Sequence, residues 1–322
     1  MAALIDFHSH FFSRAFFSEL ASQSPQTGTE EEKMARVGHE VGIDIPSATH
    51  GDHLQRWLGE MERYGVQHMV SFASVPSEAP ILAECLSLAN GKLSAMSVVN
   101  PLMEGAPERV RQLLDVGFSG ILLFPAMHRY RLDGPELEAV LDVLEEDGAV
   151  AIVHCGMLQV RLRDHFGIPR GYDLTLANPL HLVPAADKHP RTNFVIPHFG
   201  AGMFRETLMA GSQCQNIHVD TSSSNSWIQS QPATLRLADV FDRALQVFGT
   251  QRILFGTDSC TFPRGWRHDL LLAQREALGA CGIDARGKGH ILHANAAKLL
   301  QLEPRLEDSS VSEAIEPQAR PS

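Results

Sequence analysis

The sequence predicts an α/β protein folded as a (β/α)8 barrel, a TIM barrel, and three observations predict it. Eight short runs rich in β-branched and aromatic residues alternate with amphipathic stretches. Four of those runs lead into a His or Asp at a probable strand-to-loop turn, where parallel strands present side chains to a common crevice. A chain of 322 residues, 44% hydrophobic and 20% charged, has the size and make-up with which one such barrel buries its core.

The elements follow in order. The first strand, 3–8, runs on into Ser9 and His10. Side chains at i and i+2 of a strand point the same way, so His8 and His10 can converge on a single metal ion. The stretch 11–49 is too long for an ordinary loop and rich in Ser, Gln, Thr, Gly and Glu, so a lid insertion beside the site is expected. Strands at 68–73, 93–99 and 119–124 come next, with helical spacing of apolar residues over 53–64, 107–116 and 134–147. Strand 149–154 delivers His154. Alternation turns Cys155 the other way, as a buried thiol. A second excursion, 156–178, carries Arg161, Arg163, Arg170 and Tyr172. Strand 193–198 delivers His198, strand 216–220 follows, a helix covers 235–248, and strand 252–258 delivers Asp258. Residues 1–302 are expected to form one domain and 303–322 a flexible, solvated tail.

Composition narrows the function classes. A net charge of -11 and a pI of 5.8, without a Lys/Arg cluster, argue against nucleic acid and acidic membranes and leave a small-molecule substrate as the expected partner. Only Met1-Ala2-Ala3 precedes the first strand and no apolar run approaches a membrane span, so a cytoplasmic protein is expected. Five scattered cysteines without a C-x-x-C pair fit reduced thiols.

Read together, Asp6-Phe7-His8-Ser9-His10-Phe11-Phe12, Ile152-Val153-His154-Cys155-Gly156, Pro197-His198-Phe199-Gly200, Val219-Asp220-Thr221-Ser222, Leu254-Phe255-Gly256-Thr257-Asp258 and Asn295-Ala296-Ala297-Lys298-Leu299-Leu300 span nearly the whole chain. In order and placement they resemble the amidohydrolase superfamily, within it the amidohydrolase-related branch that includes aminocarboxymuconate-semialdehyde decarboxylase. The resemblance implies a metal-dependent hydrolase type of barrel with one divalent metal, zinc first and manganese as the alternative. It implies that His8, His10, His154 and Asp258 hold that metal, with His198 in or beside its first shell. It also admits a homodimer. Many two-metal members carry a bridging lysine at the end of strand four; here no lysine occurs between Leu93 and Asp187 and no strand-end Glu offers itself as a bridge, which fits a single metal.

Such a ligand set leaves an open position for water, with Asp258 placed to take its proton and His198 to bind the water or a substrate carbonyl. Two reactions are compatible: hydrolysis of a small ester, lactone or amide, which is favoured, and nonoxidative decarboxylation of a conjugated or aromatic carboxylate. Arg205, Arg264 and Trp266 are the candidate substrate-binding residues, the arginines because a guanidinium fork suits a carboxylate. Arg264 and Trp266 follow strand eight, where loops line a barrel's mouth. Asp6, placed by alternation on the inward face of His8, is expected to be held by hydrogen bonds. Asp220 to Ser224 either orient a ligand or cap a helix. His39, His50, His53, His165, His181, His290 and His293 are expected in solvated or capping roles. Gly200-x-Gly202 lacks the remaining features of a dinucleotide site.

Overall fold

The structure is a computed structural model in which residues 3–222 and 227–302 are described. The expected tail, and Ser223 and Ser224, lie outside the described residues. The strands are β1 (Ile5–His10), β2 (His68–Ala73), β3 (Leu93–Val98), β4 (Gly120–Leu123), β5 (Val150–Val153), β6 (Asn193–Ile196), β7 (Ile217–Asp220) and β8 (Ile253–Leu254). They form one parallel sheet in sequence order. The ring closes where Phe7 N–H donates to Phe255 O at 2.9 Å, Asp258 N–H to His8 O at 2.8 Å and His10 N–H to Ser259 O at 2.8 Å. The (β/α)8 barrel is therefore the fold.

Alternation along the strands divides the core into two layers. Val70, Phe72, Met96, Leu122, Ile152 and Val195 fill the barrel, while Met69, Ala95, Ile121, Ala151, Phe194 and Val219 face the helices. Cys155 belongs to the outer layer, as alternation requires. β6 and β8 end earlier than their apolar runs. Pro197 removes a ladder donor after β6, and Asp258 takes a positive φ of 58° after β8.

Stretch 11–49 is a helical hairpin rather than an irregular loop, with α1 (Arg14–Gln23) packed on α2 (Glu30–Val41). Phe16, Phe17 and Leu20 bury against Met34 and Val37, with Phe166 of the second excursion beneath them. Each such side chain stabilises the hairpin by roughly 1.5–3 kcal/mol. Thr29 and Glu32 close a capping box at the start of α2, and Gly42 ends it in the left-handed region. Apolar spacing within a polar composition is what hides these helices. The next helix, α3 (His50–Tyr64), buries His53, whose Nε2 lies 2.6 Å from Phe11 O; the solvated role expected for this histidine is not what the fold gives it. Among the described residues no helix is long and apolar enough to cross a membrane.

Candidate metal centre

The mouth begins with an irregularity in β1. Its register against β2 slips between Asp6 and Ser9, which lets Phe7 stay in the barrel interior while His8 also turns to the mouth. Asp6 therefore does not share the inward face of His8, as strict alternation would have it. It is fully buried beside β8, accepting from Thr257 N–H at 3.1 Å and from the Trp266 indole at 2.7 Å. Burial raises its pKa to about 6 against the pull of these hydrogen bonds.

His8 and His10 both face Asp258, with Nε2 atoms 3.6 and 3.2 Å from its Oδ1. Donor atoms of the three lie within 4.8 Å of one another, a spacing that suits a shared cation. The opposite nitrogens are held from behind. His8 Nδ1 lies 2.7 Å from Asp220 Oδ2, and His10 Nδ1 lies 2.6 Å from Ser74 Oγ. An ionised carboxylate only accepts, so His8 carries its proton on Nδ1 and can present Nε2 as a ligand.

His198 follows β6 in a left-handed conformation, φ 56°, that brings its ring centroid to 4.8 Å from that of His8 and 5.2 Å from that of His154. Its Nδ1 donates to Ser222 O at 3.0 Å, leaving Nε2 as the unprotonated nitrogen. Asp220 ties these parts together: it also accepts from the His198 N–H at 3.1 Å, the Ser222 N–H at 3.0 Å and the Ser222 hydroxyl. The orienting role, rather than helix capping, is what the structure gives Asp220. Ser74 carried no signal in the sequence, because only the β1–β2 pairing sets it behind His10.

Charge follows burial and neighbours. Burial pushes His154 down to about 3, helped by the nearby His198 and His8, so its imidazole is neutral. Its buried Nδ1 has no hydrogen-bond partner, and His154 lines the same cavity without joining the groups whose donor atoms lie within 4.8 Å of one another among the described residues. Burial likewise lowers His198. For Asp258 burial acts upward, but the His10 hydrogen bond and the His8 charge prevail and hold the carboxylate well below its usual range. Asp220 is brought down to about 2 in the same way, chiefly by His8 against burial. This donor set of imidazoles and a carboxylate fits a borderline divalent cation such as zinc.

The group opens into a cavity of about 380 Å³ walled by Phe12, Phe16, Leu20, Phe124, Met127 and Leu158. His8, His10, His154, His198, Asp258 and Arg264 all line it. The other two candidate substrate-binding residues do not. Arg205 is exposed on the helix Phe204–Gln213 and lies off the cavity. Trp266 is buried at 2% exposure because its backbone N–H bonds Glu60 at 2.8 Å and its indole bonds Asp6, which turns the ring into the barrel wall. Arg161 and Arg163 of the second excursion also line the cavity.

A parallel eight-stranded barrel with histidines and aspartates converging at its carboxyl end defines a metal-dependent enzyme of the TIM-barrel class. The chain belongs to the amidohydrolase family, whose model matches residues 5–302. No curated protein matches it in sequence. Its structural neighbours include 5-carboxyvanillate decarboxylase from Sphingomonas paucimobilis, 13% identical with a TM-score of 0.64 over 94% of this chain and 99% of that one. A probable 2-pyrone-4,6-dicarboxylic acid hydrolase from Acinetobacter baumannii is 16% identical with a TM-score of 0.59 over 94% and 100%. An amidohydrolase from Burkholderia multivorans with bound zinc is 15% identical with a TM-score of 0.63 over 94% and 100%. At these identities the likeness is one of fold.

Proposed function

We propose that this chain is a single-metal hydrolase acting on a small ester, lactone or amide that carries a carboxylate. His8, His10, His154 and Asp258 would hold the cation, zinc in first place and manganese in second. When bound, such a cation supplies Lewis-acid polarisation and acidifies a water. Asp258 would take the proton of the attacking water and hand it to the leaving group, and His198 would hydrogen-bond that water or the substrate carbonyl through Nε2.

The observation that supports hydrolysis is the position of Asp258, whose Oδ1 lies 3.2 Å from His10 Nε2 and 3.6 Å from His8 Nε2 at the mouth of the cavity. Asp258 is held ionised, while His154 and His198 are held neutral. Positive charge placed among them shifts all three further the same way. His8 differs: against burial, Asp220 raises its pKa, so without a cation this imidazole favours its charged form. An ionised Asp258 beside neutral His154 and His198 supports the activation of water, whereas decarboxylation requires an acid that protonates carbon. The apolar walls and the arginines of the cavity support a carboxylate on an apolar body. Neighbours of this fold named for a dicarboxylic acid hydrolase and for a carboxyvanillate decarboxylase are consistent with that substrate class.

The test is a panel of carboxylate-bearing lactones, esters, amides and aromatic acids given to metal-loaded protein, with ring or ester opening and carbon dioxide followed separately. Opening without carbon dioxide is expected. Carbon dioxide release without opening would establish the carboxy-lyase instead.

A further inference from the structure

One buried carboxylate stands outside the metal centre and within reach of it. Glu78, at the end of the turn Pro76–Glu78 that follows β2, is fully buried, and no positive side chain pairs with it among the described residues. Its Oε1 accepts from the Ser13 N–H at 2.6 Å and from the Ser13 hydroxyl at 2.9 Å, and its Oε2 accepts from the Ser74 N–H at 2.8 Å. Each serine leads somewhere. Ser74 Oγ lies 2.6 Å from His10 Nδ1, across the ring from the Nε2 that faces Asp258. Ser13 opens α1, the first helix of the hairpin, and gives its hydroxyl to Glu78 instead of capping its own helix. Between His10 and Ser13 the chain turns at Phe12, which takes a φ of 41° although it is a bulky aromatic, and stacks on Phe16 with ring centroids 3.8 Å apart.

A left-handed backbone at a bulky residue persists only where surrounding contacts hold it, and Glu78 grips the far end of that turn. Only a carboxylate offers two accepting oxygens, so only it can hold two backbone N–H groups on separate segments at once. We propose that Glu78 is a positioning residue that couples the helical hairpin to His10, through Ser13 on one oxygen and Ser74 on the other. The inference rests on the reading of His10 as a metal ligand and makes no use of the reaction. Displacing the hairpin pulls on Ser13, tilts the carboxylate and shifts Ser74, whose hydroxyl then no longer holds the imidazole in line with a cation. The chain of contacts also runs in reverse, because coupling between two sites is reciprocal. A cation that fixes His10 fixes Ser74, Glu78 and the start of α1, and so steadies the hairpin residues Phe12, Phe16 and Leu20 that wall the cavity.

Zinc affinity is measured by competition with a chelator, and the opening of α1 by hydrogen exchange with and without zinc. Both are read at about pH 8, above the value of about 7 to which burial raises Glu78. In the native protein zinc slows exchange in α1 by about tenfold, an ordinary size for coupling between two sites. Glu78→Gln turns an amide donor toward one of the two backbone N–H groups, so zinc binds about tenfold more weakly, the worth of one buried hydrogen bond, and α1 no longer responds to it. Ser74→Ala keeps its N–H on Glu78 but loses the link to His10; it weakens zinc about 10–100-fold and also silences α1. The double variant binds zinc no more weakly than Ser74→Ala, because Glu78 acts through Ser74. Ser18→Ala, which removes an α1 hydroxyl that donates to Glu30, changes neither readout. Were Glu78 only a support of the fold, Glu78→Gln would lower the unfolding midpoint of the metal-free protein and leave zinc affinity and the α1 response native. That result overturns the coupling. A zinc response of α1 that survives in Ser74→Ala overturns it as well, and this variant keeps Glu78 in place should Glu78→Gln not fold. Native protein that takes up no zinc refutes the reading of His10 as a ligand and the coupling with it, whereas native uptake with an unaltered Glu78→Gln refutes the coupling alone.

Discussion

Asp220→Asn isolates the link between the buried carboxylate and the metal-facing histidines. Asp220 is fully buried and accepts from His8, the His198 N–H, the Ser222 N–H and the Ser222 hydroxyl, three of these on Oδ1 and only His8 on Oδ2. Asparagine can keep its carbonyl oxygen toward the Oδ1 partners, so the β6–β7 connection survives. Its amide then meets His8 Nδ1 as a donor, and the imidazole must move its proton to Nε2, the nitrogen 3.6 Å from Asp258. Loss of an orienting carboxylate behind a metal-binding histidine costs about 10–100-fold in metal affinity. The metal-free fold loses about 1–3 kcal/mol, the worth of one hydrogen bond to a charged buried group. Competition against a chelator measures the first quantity, and denaturant unfolding of the metal-free protein the second. An Asp220→Asn protein that binds zinc with native affinity refutes the tautomer argument.

Three further outcomes are expected. Asp258→Asn abolishes turnover while the metal-free fold is retained, and activity at the native level would remove Asp258 as the proton acceptor. Gly156 has φ +78° and a Cβ there would stand 2.1 Å from Gly200 O, so Gly156→Ala forces apart the turns that follow His154 and His198; a loss of at least about 2 kcal/mol is expected in denaturant unfolding, and a near-neutral effect would show that these turns yield. Glu78, buried between Ser13 and Ser74, has its pKa raised by burial from 4.5 to about 7 despite those hydrogen bonds. Its protonated form favours the fold fully below pH 4.5, and this contribution of roughly 3 kcal/mol at most is lost as the pH rises through about 7. Unfolding of Glu78→Gln at pH 5 and pH 8 (, roughly the two sides of that window) should show the variant gaining on the native protein at the higher pH; parallel behaviour would contradict the buried ionisation.

Much of this was readable from periodicity. β2 coincides with its predicted span, and the other strands lie within a few residues of theirs, because short β-branched runs bounded by Gly, Pro and polar residues favour strands over helices. The strand ends also bring His8, His10, His154, His198 and Asp258 to one cavity, since every parallel strand of a barrel opens to the same face. Local order alone determined that much.

What the sequence could not supply were contacts made across the barrel. The slip in β1 that separates Asp6 from His8 is a property of its pairing with β2, and no residue in the strand announces it. Trp266 sits after strand eight as a mouth residue would, yet a buried carboxylate 260 positions earlier claims its indole. Ser74 behind His10 and Asp220 behind His8 likewise owe their roles to neighbouring strands. In the insertion, a polar composition concealed two helices whose apolar faces become visible only once they pack on each other and on Phe166. Periodicity is encoded within a few residues and can be read there. Hydrogen-bond partners and charge states depend on which segments the closed barrel brings together, and for that reason only the tertiary structure decides them.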